Sequence, residues 1–150
     1  MTGAVDGRFR AAAVGYLAYG LVYYVGGLYL ITQGVGVMGG RRGSLTFWAV
    51  AGLLPLLLIP FLLWARRRWF ERWVVTRRDF ARLVAIFLTF RALKVGETAL
   101  NTDGAAVAAP WGGVLMTFQT GAALFLVVTL AALVLVARAA WAAEERGEAP

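Results

Sequence analysis

The segment Val114–Ala137 reads VLMTFQTGAALFLVVTLAALVLVA and contains no charged side chain. A helix needs about 20 residues to cross the ~30 Å hydrocarbon core of a bilayer. Two further charge-free runs, Ala11–Gln33 and Thr46–Ala65, also have at least the length that a span needs. These three runs predict transmembrane helices and therefore an all-α membrane protein.

The composition agrees with a membrane environment. Of the 150 residues, 61% are hydrophobic and 15% are charged, whereas soluble proteins average about 45–50% and 25%. A soluble domain of this size could not keep so much apolar surface away from water. The length predicts a single domain, residues 1–150.

The absence of Cys and His excludes several classes of function. Disulfides, thiolate catalysis and Cys-ligated zinc or iron–sulfur sites all need cysteine. Haem held by histidine, the common zinc enzymes and Ser-His-Asp hydrolysis all need histidine. We therefore expect no cofactor and no metal. An enzyme acting on lipid is the weakest hypothesis, because the sequence offers no acid pair and no nucleophile–base pair.

A fourth candidate span, residues 81–100, is less apolar. It opens with the apolar stretch Leu83–Phe90 and then carries Arg91, Lys94 and Glu97. Its large apolar residues contribute about −4 kcal/mol to insertion, whereas a central arginine costs about +2.5 to +3.5 kcal/mol. We expect this helix to span the membrane when it packs against its neighbours with its charges paired.

The arginines predict how the chain is oriented. With spans at 11–33, 46–65, 81–100 and 114–137, eleven arginines lie on the side of the two chain ends and the 66–80 connection. The other side holds only two arginines, Arg41 and Arg42. Because basic residues favour the cytoplasmic side, the sequence predicts a multi-pass protein of the cell (inner) membrane. It has four transmembrane helices, both ends inside and a basic cytoplasmic loop.

The segment 90–101, FRALKVGETALN, carries the most informative polar residues. At 100° per residue, its polar side chains share an arc of about 120°, which we expect to point into the protein. They are Arg91, Lys94, Glu97, Thr98 and Asn101. Glu97 follows Lys94 by three residues, so the two can form an ion pair.

Arg91 then has no partner in its own helix, and the other three spans contain no acidic residue. Its neighbours must be tyrosines, backbone carbonyls, Gln119, another subunit or an anion. A cation without a partner inside a membrane is costly and marks a candidate site. The functional hypothesis is an anion or proton site with Arg91 and Lys94 as ligands and Glu97 as gate or carrier. The structural alternative is a polar network that fixes helix register or docks a partner subunit.

The first span carries Tyr16, Tyr19 and Tyr23 at helical spacing, with glycines close by. Small residues let helices approach, and tyrosine hydroxyls find partners across the interface. The stripe is therefore either a packing seam or the wall of a polar pocket. Tyr24 and Tyr29 lie off it and are predicted to contact lipid or the interface.

Three further segments carry expectations. The 66–80 loop, RRRWFERWVVTRRDF, resembles a short amphipathic helix at the headgroups, with anionic lipid as a partner. Pro55 and Pro60 predict a kink or local opening in the second span. Residues 1–10 are expected to be disordered. A nucleic-acid partner is not expected despite the net charge of +7, because the basic residues cluster between apolar runs.

Two functions from different classes remain. The first is a non-catalytic accessory or assembly subunit of a larger membrane complex, docked through the charged face of the third span. The second is a small oligomeric carrier or channel for a small anion or a proton-coupled solute, which uses the same face. The partners expected from sequence are the bilayer and either other membrane subunits or further copies of this chain.

Overall fold

The structure is a computed structural model that describes residues 2–34, 45–65, 68–101 and 105–141. It is 83% helical, which confirms the all-α class. In chain order its elements are α1 (Thr2–Thr32), α2 (Leu45–Trp64), α3 (Arg68–Trp73), α4 (Arg77–Leu100), β1 (Ala106–Ala108), β2 (Leu115–Thr117) and α5 (Phe118–Trp141). The predicted connections at 35–44, 66–67 and 102–104 and the tail beyond 141 lie outside the described residues.

Two segments of the described chain are long and apolar enough to cross a membrane, Val5–Thr32 and Phe118–Trp141. In α2 the apolar segment is the shorter Ala49–Trp64. Helix α4 is long but carries the charged residues of the predicted span 81–100. By length and composition, therefore, α1 and α5 are the strongest candidates to cross a membrane.

Several helices begin earlier or later in the chain than the sequence predicted. Helix α1 begins at Thr2, so residues 2–10 are helical rather than disordered. The reason is tertiary, because Phe9 is buried in the core. Helix α5 begins at Phe118 rather than Val114, because the residues before it form strand β2.

Strands β1 and β2 form an antiparallel hairpin in which Val107 lies opposite Met116. Gly112 and Gly113 in its turn have φ values of 82° and 78°, a region that glycine adopts without strain. The hydroxyl of Thr117 accepts a hydrogen bond from the backbone N–H of Thr120 at 3.1 Å. This contact caps the first turn of α5 and fixes where the helix starts.

The long helices pack in a definite order. Helix α1 lies between α2 and α5, and α5 also packs along α4, whereas α2 and α4 meet at few points. Helices α1 and α2 run antiparallel. A Cβ on Gly20 would lie 2.7 Å from the Leu56 Cδ1, and one turn further along α1 the Tyr24 hydroxyl bonds to the Ala49 carbonyl at 2.9 Å. Glycine at position 20 thus allows the close approach that small residues give in membrane bundles.

The core is narrow and built largely from small side chains of α1, α4 and α5. At Gly15 an added Cβ would lie 2.6 Å from Leu135 Cδ1, which marks the close approach of α1 to α5. Large apolar side chains elsewhere remain exposed, including Val50, Leu54 and Phe61 on α2. The fold therefore buries a thin central seam and leaves broad apolar outer faces.

The 66–80 connection contains the predicted short helix, which is α3. Trp69 and Trp73 are exposed, while Phe70 packs edge-on against Phe80 of α4 at 5.4 Å between ring centres. Residues from Arg77 onward belong to α4 rather than to a loop. The helical conformation supports the amphipathic interpretation, and its lipid partner stays a prediction.

Candidate functional site on helix α4

The polar face of α4 divides into two parts. Arg91 is half-buried and turns toward α1, where its guanidinium carbon lies 4.5 Å from the centre of the Tyr23 ring. Lys94 and Glu97 form the predicted ion pair, with Nζ and Oε2 2.7 Å apart. Their side chains are 74% and 70% exposed. The expectation that the whole face points into the protein is therefore wrong for Lys94 and Glu97.

The reason lies in the neighbour of α4. Gly96 faces α5, with its Cβ position 4.0 Å from Leu126. Lys94 precedes Gly96 by two residues, or about 200° around the helix, and so points away from α5. Helix α2 contacts α4 at few points and does not cover this side. The outer half of α4 thus presents its ion pair on the surface.

The surface around this ion pair forms a shallow open groove. Its lining residues are Lys94, Glu97, Thr98, Leu100 and Asn101. The Thr98 hydroxyl donates to the Lys94 carbonyl at 3.2 Å, and the Asn101 N–H bonds to the Thr98 carbonyl at 3.2 Å and ends the helix. Phe90 and Leu93 are exposed just below. The feature is an ion pair flanked by apolar side chains.

The tyrosine stripe of α1 forms an aromatic stack inside the bundle. Tyr16 and Tyr19 are buried, and their ring centres are 5.5 Å apart. Tyr19 and Tyr23 stack with parallel rings at 6.1 Å. Phe125 of α5 packs against Tyr19 at 5.5 Å and against Tyr23 at 5.8 Å. The stripe therefore packs between α1 and α5, and Arg91 closes it from α4.

Two polar atoms in this cluster have no hydrogen-bond partner among the described residues. They are the Tyr19 hydroxyl and the Arg91 Nε, and both are buried. Tyr19 as a whole is only 2% exposed. The Arg91 guanidinium is close enough to the Tyr19 hydroxyl oxygen to donate to it, and the Tyr19 proton then still lacks an acceptor. The seam thus combines apolar packing with an incomplete polar centre.

Gln119 does not join this cluster. Its side chain is exposed at the start of α5, and the Lys94 ammonium bonds to Glu97 instead. The neighbouring Thr120 hydroxyl is 2.9 Å from that of Thr117. The Thr117 and Thr120 hydroxyls therefore bond to each other, and Gln119 lies outside the aromatic stack.

Tyr24 and Tyr29 both use their hydroxyls to bond within the protein. Tyr24 donates to the Ala49 carbonyl of α2, and Tyr29 donates to the Ala108 carbonyl of strand β1. Each joins α1 to another element. Both residues are half-buried, and their contact with lipid or the interface stays a prediction.

The structure also reveals a cluster that was not predicted from the sequence, centred on Arg77. This side chain is only 8% exposed, and its Nη1 lies 2.7 Å from the Asp6 carboxylate of α1. Its Nε and Nη2 donate to the Leu63 carbonyl at 2.9 and 2.6 Å, and Nη2 also donates to the Trp64 carbonyl at 2.8 Å. The guanidinium stacks on the Phe9 ring at 4.2 Å. Arg77 therefore joins the ends of α1, α2 and α4.

A signal for Arg77 does exist in the sequence. Helix α2 ends without a basic residue in its last turn, so its final carbonyls need donors from elsewhere. The donor comes from the first turn of the next long helix, α4. This helix begins at Arg77 because the Thr76 hydroxyl caps it by accepting from the Asp79 N–H at 3.1 Å. Only the meeting of α1, α2 and α4 shows that Arg77 is the donor.

No protein-family model matches the chain, and comparisons with the curated proteins and with solved structures find no match either. Function is therefore inferred from the residues themselves.

Proposed function

We propose that this protein is a four-span integral membrane protein that acts as a non-catalytic accessory subunit of a larger membrane complex. Helices α1, α2, α4 and α5 would be the spans, with the Arg77 end of the bundle in the cytoplasm. The docking surface is the ion pair of Lys94 and Glu97 with the groove around it.

Exposure of the long helices supports a membrane location. In an apolar stretch of 18 residues, only 22% of α1 and 17% of α5 are buried inside the protein. A core helix of a soluble protein would be mostly buried, and exposed apolar surfaces of this extent mark contact with a membrane or another protein. Lipid is the environment that accommodates such faces on several helices at once.

The antiparallel packing supports a one-sided distribution of charge. The start of α1, the end of α2 and the start of α4 meet at Arg77. The end of α5 lies at the same side, since Leu135 packs near Gly15. The arginine-rich segments therefore gather at one end of the bundle, as expected if that end is cytoplasmic.

The exposed ion pair is the observation that carries the docking proposal. Lys94 lies six residues before Leu100, or about 9 Å from the end of α4, close to the outer edge of the predicted span. Charged groups there are costly against acyl chains, whereas a partner helix with polar side chains can pair with them. The exposed Phe90 and Leu93 would add apolar contact beside the pair.

The test is native mass spectrometry of the protein extracted from its own membranes in mild detergent. We expect partner chains at fixed stoichiometry with the wild type and their loss with Lys94→Ala and with Glu97→Ala. The matched control is Asp79→Ala, which breaks an ion pair of the same spacing at the other end of α4, where Arg82 Nη1 lies 2.7 Å from Asp79. This control should keep the partners.

Two results would reject the docking proposal. One is an unchanged complex in both Lys94→Ala and Glu97→Ala. The other is a homo-oligomer that retains a small molecule in place of foreign chains. That second result would support the alternative, a small carrier.

A further inference from the structure

The middle of α4 holds a positive charge that no described carboxylate neutralises. Within the described residues, Asp6 pairs with Arg77, Asp79 with Arg82 and Glu97 with Lys94. The remaining acid, Glu71, lies at the Arg77 end and accepts from the Arg77 backbone N–H at 3.4 Å. Arg91 has the face of the Tyr23 ring as its cation partner.

The two atoms without a partner, the Arg91 Nε and the Tyr19 hydroxyl, each have a proton to donate. The Nε–H of a guanidinium can only donate, and a tyrosine O–H needs an acceptor for its proton. Both atoms are buried without a partner, and Tyr19 itself is almost fully enclosed. Leaving a buried donor unpaired destabilises the fold, and a charged donor more than a neutral one. The Tyr19 oxygen can accept from Arg91, but its own proton has no acceptor, so the cluster has fewer acceptors than donors.

The depth of Arg91 restricts what this acceptor can be. It lies nine residues before Leu100 and fourteen after Arg77, or about 14 and 21 Å along the helix. Lipid phosphates lie outside the ~30 Å hydrocarbon core and do not reach this level. A water molecule would accept hydrogen bonds but would leave the charge uncompensated, which is costly at low dielectric.

We propose that the Arg91 guanidinium and the Tyr19 hydroxyl form a buried binding site for a small monovalent inorganic anion such as chloride. The anion accepts hydrogen bonds from both groups and neutralises the cation, while the Tyr23 and Phe125 rings enclose it. This site rests on the membrane location proposed above, because the depth of Arg91 excludes lipid phosphates. It does not depend on the docking role, because Lys94 and Glu97 take no part.

The test uses the full chain purified in detergent with sodium gluconate and then titrated with sodium chloride at constant ionic strength. Line broadening in ³⁵Cl NMR reports binding, and the thermal unfolding midpoint reports stabilisation. We expect saturable broadening and a rising midpoint for the wild type. Tyr19→Phe removes one donor at nearly constant volume and should weaken chloride binding about tenfold. Arg91→Gln should abolish it.

Two variants serve as matched controls and should bind chloride as the wild type does. Tyr24→Phe removes a hydroxyl of α1 that already bonds to the Ala49 carbonyl. Arg82→Gln removes an arginine of α4 that pairs with Asp79. Lys94→Ala should also retain binding, which separates this site from the docking surface.

Several outcomes would overturn the anion site. Absence of saturable broadening in the wild type would leave a water molecule as the acceptor. Equal chloride affinity in wild type and Tyr19→Phe would remove the hydroxyl from the site. Equal loss in Arg82→Gln and Arg91→Gln would show non-specific surface binding. Loss of partner chains in Arg91→Gln, with no chloride binding by the wild type, would assign Arg91 to docking.

Discussion

Arg77 and Arg91 lie about four turns apart on nearly the same side of α4, yet their surroundings differ in kind. Arg77 meets two backbone carbonyls, a carboxylate and a phenylalanine ring. Arg91 meets the face of a tyrosine ring, and its Nε bonds to nothing described. A single helix thus carries one arginine whose N–H groups have acceptors, Arg77, and one whose Nε–H has none, Arg91.

The difference follows from what a helix offers along its length. The last carbonyls of a helix have no partner within it and carry a partial negative charge, so the end of α2 accepts from Arg77. In the middle of a helix the carbonyls already accept a backbone N–H, so a neighbouring span offers few free acceptors there. A cation at the level of Arg91 therefore depends on side chains or on a ligand for its acceptors.

The largest effect is expected from Arg77→Met. The change leaves the Leu63 and Trp64 carbonyls without a donor and breaks the pair with Asp6, so we expect a loss of about 3 kcal/mol in the free energy of unfolding. Equilibrium unfolding in mixed micelles measures it. Arg82→Met is the control, because its exposed pair contributes less than about 1 kcal/mol. Equal losses in both variants would show that the Arg77 cluster contributes little.

Arg91→Met is expected to stabilise the protein in chloride-free buffer, whereas Arg77→Met destabilises it. Removing an unpaired buried cation and inserting an apolar side chain of similar length should raise the free energy of unfolding by about 1 kcal/mol. The same unfolding assay applies. A loss as large as that of Arg77→Met would mean that Arg91 already has a strong partner, and the contrast between the two arginines would fail.

A smaller pair of effects separates two tyrosine hydroxyls of α1. Tyr24→Phe removes a bonded hydroxyl and should lose about 1 kcal/mol, whereas Tyr19→Phe removes an unbonded one and should lose nothing in chloride-free buffer. Thermal unfolding of the two variants side by side measures the difference. If Tyr19→Phe proves the more destabilising, the Tyr19 hydroxyl has a partner and the cluster at Arg91 is complete.

The smallest effect concerns pH at the start of α4. The hydrogen bond from Thr76, together with Arg82, lowers the pKa of the Asp79 carboxyl below its usual value. A group whose pKa is lowered by folding stabilises the fold above its unfolded pKa of about 4 and loses this contribution as the pH falls through the folded pKa. Wild type minus Asp79→Asn should therefore show a midpoint difference at pH 6 that disappears in strong acid. A pH-independent difference would contradict this assignment.

Local spacing was sufficient to predict some of these features. The Lys94–Glu97 pair follows from a three-residue interval, and the ring stack of Tyr16, Tyr19 and Tyr23 follows from helical periodicity. The cationic partner of Tyr23 also falls within the alternatives that the sequence allowed, since tyrosines were expected near Arg91. Each of these depends on one helix or on the exclusion of acids from the spans.

Features that depend on which helices become neighbours were beyond the sequence. The outward direction of Lys94 depends on α5 covering the opposite side of α4, which no local pattern encodes. The role of Arg77 depends on Asp6 and on the end of α2, 71 and 14 residues away along the chain. The start of α5 at Phe118 depends on strand pairing with Ala106–Ala108. In each case a distant contact decides the outcome.

The packing order of the helices also has a consequence for biogenesis. Helices α1 and α2 form one hairpin of chain neighbours, and α4 and α5 form another, so each can assemble as soon as it leaves the ribosome. The seam between them joins α1 to α5, the last of the described helices to be synthesised. Until Phe125 arrives, the rings of Tyr19 and Tyr23 lack their cover. A nascent chain halted before α5 should therefore expose this aromatic surface to the insertion machinery.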